Sequence, residues 1–61
     1  MNYKQEILRM ISRVPQSVTN GSFNKAIHWK NAAEKAGDVA RKTRASEAEL
    51  ARVYADLKQY E

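Results

Sequence analysis

Glu34, Asp38, Glu47, Glu49 and Asp56 are side chains that could move protons, and His28 is the single imidazole of the chain. General acid–base chemistry needs such groups in pairs, held in a water-poor site that drives their pKa values apart. Here they fall at the spacings of exposed helical ion pairs, with Asp38 four residues before Lys42 and Arg52 four before Asp56. Cysteine is absent, and no glycine-rich segment cradles a phosphate. One histidine and no thiolate exclude a zinc cluster built within one chain. The expectation is a protein that is not an enzyme, with no catalytic residue, no metal and no cofactor.

Binding chemistry has more support. Arg41, Lys42 and Arg44 form the densest basic cluster, with Lys30 and Lys35 upstream, in a chain of net charge +4 and pI near 9.7. Such a face can steer an acidic protein partner, neutralise a few phosphates, or simply favour the end of a helix. Asn24, His28, Asn31, Lys35 and Lys42 return to nearly one angle on a helix, and asparagine and lysine can read base edges. A solvated polar face has the same pattern, and Asp38 within it would repel phosphate. The span from Pro15 to Gly21 is also long for the turn of a helix-turn-helix. Nucleic-acid binding is therefore the second reading.

The strongest packing signal is a seam in which Ala26, Trp29, Ala33, Ala36 and Ala40 recur at alternating spacings of three and four. Small side chains on one helical face let another helix approach closely. With Phe23 they compose the expected self-association or partner face. Two placements fit Trp29: an anchor in a partner's pocket, or a plug in the chain's own core against Ile7, Ile11 or Leu57.

These residues need helices to hold them. Tyr3, Ile7, Met10, Ile11 and Val14 have helical spacing, widened by Leu8, and Pro15 disfavours helical angles at Val14. Residues 15–21 collect turn formers, with Asn20-Gly21 suited to positive backbone dihedrals. Ser22 can cap the next helix, which carries Gly37 beside the alanines, where a missing side chain suits close packing. Ser46-Glu47-Ala48-Glu49 fits a capping box, followed by Leu50, Val53, Leu57 and Tyr60 in register, with Tyr54 beside them. No glycine or proline separates Lys42 from Ser46, so one long helix over 22–60 competes with a hairpin broken near Thr43 to Ser46. The capping box favours the break, and a folded-back hairpin would bury the alanine stripe against Leu50, Val53 and Leu57. The expected fold is all-α, a single domain of two or three helices at about 3–14, 22–43 and 46–60, arranged as a hairpin or small bundle.

Sixty-one residues bury a modest core, and ordering them costs on the order of 1.5 kcal/mol each. With disulfides and zinc excluded, a second chain is the remaining staple, which predicts a homo-oligomer, a dimer first. The chain has neither the roughly 20 consecutive apolar residues of a membrane span nor the apolar core of a signal peptide. A cytoplasmic protein without membrane association is expected.

The segment Ser46-Glu47-Ala48-Glu49-Leu50-Ala51-Arg52-Val53-Tyr54 resembles the last helix of the Hha-type nucleoid modulators, small bacterial helical proteins that bind a DNA-bound partner. The likeness covers one helix, and the long alanine-rich middle helix departs from that family, so no functional residue is carried over. In format, a short basic chain without a catalytic kit also resembles the small accessory proteins of temperate bacteriophages. That resemblance implies a regulator that occupies the surface of a host protein. Both likenesses agree with a non-catalytic interaction module, with a small basic nucleic-acid-binding regulator as the alternative.

Overall fold

In a computed structural model of the chain, which describes residues 2–21 and 23–61, the first helix, α1 (Tyr3–Ile11), begins at Asn2. The Asn2 side-chain oxygen accepts the backbone N–H of Gln5 at 3.1 Å, satisfying one of the donors that a helix start leaves open. Ser12 closes the helix: its backbone N–H and its hydroxyl both donate to the Arg9 carbonyl, at 3.3 and 2.6 Å. A serine bonded to a nearby carbonyl competes with continued helix. The helix therefore ends at Ile11 rather than at Val14, and Val14, expected in the last turn of its apolar face, is 50% exposed.

Pro15 acts on the element after it. Its carbonyl accepts the N–H groups of Val18 and Thr19 at 3.0 and 3.1 Å, opening a single helical turn, α2 (Gln16–Thr19), where a loop was expected. A fixed φ near −65° suits a helix start, and Pro15 has φ −61°. Val18 is buried, and the Ser17 hydroxyl donates to the Tyr60 carbonyl, so this turn is tied to the far end of the chain. The positive dihedrals expected around Asn20-Gly21 do not occur, because none of the described residues has one. Gly21 is required for another reason: a Cβ there would lie 2.8 Å from the Ser17 carbonyl oxygen.

The long helix α3 (Phe23–Arg41) follows; the cap expected at Ser22 lies outside the described residues. A break over residues 42–46 then separates it from α4 (Glu47–Lys58), so residues 22–60 form a hairpin and not a rod. Ser46 makes the forward half of the capping box, its Oγ accepting the Glu49 N–H at 3.1 Å. The Glu49 carboxylate faces away, with Oε1 3.6 Å from Lys42 Nζ, so the ion pair spans the turn. Neither Asp38–Lys42 nor Arg52–Asp56 pairs as the spacing suggested.

The helices α1, α3 and α4 pack mutually around one core: Ile7 and Met10 from α1, Ala36, Val39 and Ala40 from α3, Leu50, Val53 and Leu57 from α4. Tyr3 and Tyr54 close one side, with ring centroids 5.3 Å apart and planes tilted by 57°, within the distance at which aromatic pairs attract. The fold is all-α, with no strand among the described residues.

Ala36 and Ala40, assigned to the self-association or partner face, instead follow the hairpin alternative: they are 0% exposed and share a core with Leu50, Val53 and Leu57. Their methyl groups are what lets α1 and α4 close on α3, so the carboxyl-terminal half of the seam is spent inside the molecule. Gly37 belongs to the same approach, since a Cβ there would meet Ile11 Cδ1 at 3.3 Å.

Candidate functional site

The helices differ in length, and the difference creates the exposed face. At about 1.5 Å per residue, α3 spans roughly 28 Å, against roughly 13 Å for α1 and 18 Å for α4. The molecule is correspondingly elongated, 35 × 18 × 16 Å. Every buried residue of α3 lies between Ala36 and Ala40. Its amino half is covered on one side only, where Ala26, Trp29, Ala32 and Ala33 are half-buried.

The opposite side of that half carries Phe23, 79% exposed, and Ile27, 41% exposed. Four residues apart, they project side by side. Of the seam residues, then, Phe23 is open, Ala26, Trp29 and Ala33 are intermediate, and Ala36 and Ala40 are internal. Ile27 was not expected here, because it lies off the alanine seam. The signal that marks it is its spacing from Phe23.

Trp29 has a divided position. It packs against the core and also lines a groove of about 430 Å³ with Ile11, Ala33 and Gly37. Lys30, Glu34, Asp38 and Arg41 supply the charged lining of that groove. A second depression of about 370 Å³ lies between Arg13, Val14, Pro15, Gln16 and Glu61.

Lys35, Arg41, Lys42 and Arg44 are all exposed, as a steering face requires. Their surroundings weaken them: residues 34–61 carry six basic and six acidic side chains, and Lys42 faces Glu49. Lys4 and Glu6 cancel in the same way. The entire net charge resides in residues 7–33, where Arg9, Arg13, Lys25 and Lys30 occur without a single carboxylate. Arg9 pairs with Glu6 at 2.7 Å, and the hydrogen bond and charge of that carboxylate raise the guanidinium above its ordinary value. Whole-chain totals hide this asymmetry, which sorting the charges by segment reveals.

Proton chemistry has no enclosed setting among the described residues. His28 and every carboxylate after Glu6 are exposed, no polar or charged side chain is buried, and no three His, Cys, Asp or Glu side chains converge on a metal-sized site. No helix of the described residues is long and apolar enough to cross a membrane. Asn24, His28, Asn31 and Lys35 are exposed along α3, whereas Lys42 lies past its end.

Comparison with family models, with curated proteins and with solved structures finds no match to this chain.

Proposed function

We propose that this chain is a non-catalytic protein-interaction module that docks on another protein through the amino half of α3. The observation that carries the reading is the pair Phe23 and Ile27, large apolar side chains held open on a helix whose other half is locked in a core. A rigid helix presenting an aromatic and an aliphatic side chain is a common way to anchor an interface. Trp29, at the border of core and groove, would close the edge of such a contact. We read the role as regulatory, occupying a surface of a host protein as the phage accessory proteins that it resembles in format do. Lack of cysteine suits a reducing cytoplasm, where we place it.

A hetero-partner takes precedence over self-association. With Ala36 and Ala40 covered, two copies meeting through Phe23 and Ile27 would bring together segments of like charge. The deciding experiment is capture from a bacterial lysate with wild-type protein and with Phe23→Ser/Ile27→Ser, both checked by circular dichroism. A protein retained by the wild type and lost from the double variant supports the reading. Identical retention by both overturns it. The exposed row Asn24, His28, Asn31 and Lys35 favours nucleic acid as a second reading, and a gel shift across salt tests it: no binding at low salt removes it.

A further inference from the structure

We propose that the occupant of the Phe23–Ile27 face is an acidic amphipathic helix of a partner protein, with aliphatic side chains over Phe23 and Ile27 and a carboxylate over Lys30. The inference rests on the interaction reading above and adds the chemistry of the partner. Its ground is charge complementarity. Residues 23–30 hold two lysines and no carboxylate. Within them Phe23, Ile27 and Lys30 follow one another at spacings of four and three along one stripe of α3. Lys30 forms no ion pair among the described residues and lines the groove that continues the stripe past Trp29 to Ile11 and Gly37. Lys25, on the same turns of α3, carries charge of the same sign. No acidic residue stands in the first turn of α3 to offset it.

Three other occupants fit less well. A second copy that stacked Phe23 on Ile27 of its twin would offer Lys30 no carboxylate, because residues 7–33 of the twin hold none. Nucleic acid would gain from the cations, but Ile27 has nothing to bury against a phosphate backbone. A lipid surface would have only two large apolar side chains to hold on α3, with Asn24, His28 and Asn31 beside them. A protein helix satisfies both halves of the face at once. Farther along the stripe Glu34 and Asp38 accompany Arg41, so the demand for acid is confined to the end of the partner that meets residues 23–30.

The test is selection of a displayed random peptide library on the intact protein, repeated on Phe23→Asp/Ile27→Asp and on Lys30→Glu. All are first shown to keep their helical circular dichroism; these positions are exposed. The expected result is enrichment of peptides with aliphatic residues at helical spacing and an excess of Asp and Glu. Their binding should fall at least tenfold for the double variant and several-fold on raising salt from 50 to 500 mM, and selection on Lys30→Glu should enrich fewer acidic peptides. Peptides that need Phe23 and Ile27 but show no acidic excess would overturn this inference and leave the interaction reading standing. Acidic peptides indifferent to the double variant would overturn the interaction reading itself. Absence of enrichment overturns both. A duplex DNA oligonucleotide and vesicles containing phosphatidylserine are run in parallel, and binding to either that exceeds any selected peptide also overturns the inference.

Discussion

Ile11 Cδ1 lies over Gly37 closely enough that a methyl group at position 37 would stand 3.3 Å from it. Two effects therefore oppose each other in Gly37→Ala. Helix propensity favours alanine by about 1 kcal/mol, while the crowded Ile11 methyl must give way. In the wild-type background the gain should fall clearly short of the propensity value. In an Ile11→Val background, which deletes the crowding atom, most of it should return. Urea denaturation of the four proteins measures the coupling, expected at about 0.5 kcal/mol or more. A coupling of zero would mean that the two residues do not touch.

The two halves of the alanine seam should answer differently to mutation. Ala36 is fully enclosed by α1 and α4, so Ala36→Glu places an unpaired charge in the core at a cost of several kcal/mol. At about 0.05–0.15 kcal/mol per residue, a chain of this length has roughly 3–9 kcal/mol in total. Loss of the helical dichroism at 222 nm is the expected outcome. Phe23→Ser should shift stability by no more than about 0.5 kcal/mol, because that side chain is already in water. A well-folded Ala36→Glu monomer would contradict the packing of α3 against its neighbours.

Ser46 and Lys42 stabilise the same turn by different means. Ser46→Ala removes the bond to the Glu49 N–H and should cost about 1 kcal/mol. Lys42→Ala removes an ion pair whose side chains are 57% and 43% exposed, and such pairs contribute about 0–1 kcal/mol, screened by salt. Thermal melts at 50 mM and 1 M NaCl separate the two: the serine effect should persist, and the lysine effect should vanish.

Three of the four helices could be read from apolar spacing alone, because Ile7 and Met10, Ala36 and Ala40, and Leu50, Val53 and Leu57 repeat with the helical period and meet in one core. The break before α4 was legible through Ser46, a residue that states its local role. What escaped was governed by contacts distant in sequence. The turn α2 depends on burial of Val18 and on the Ser17–Tyr60 bond, and neither leaves a periodic trace in four residues. The open or closed state of the alanine seam depends on which helix ends where, so Ala36 and Ala40 had no mark distinguishing them from Ala26 and Ala33. Phe23 stands with the alanine seam as an expected contact residue, whereas Ile27 lies off the seam and is marked only by the overhang of α3, which leaves its side uncovered.

Gly21 offers the sharpest separation of a local from a tertiary cause. Were it selected for a positive φ, asparagine, which tolerates that region, would be a better replacement than alanine. The structure has no positive φ among the described residues, and the obstacle to a side chain is the Ser17 carbonyl oxygen at 2.8 Å. Lys25 Cδ, at 2.9 Å, is the end of a flexible chain and can move; the carbonyl is held by the turn of α2. Gly21→Ala and Gly21→Asn should thus destabilise alike, each by about 1–3 kcal/mol, the usual cost of overpacking. Ser17→Ala should not relieve either one, since the clash is with main chain. Urea midpoints of the two glycine variants decide the matter: an asparagine variant more stable than the alanine variant by about 1 kcal/mol would restore the dihedral explanation.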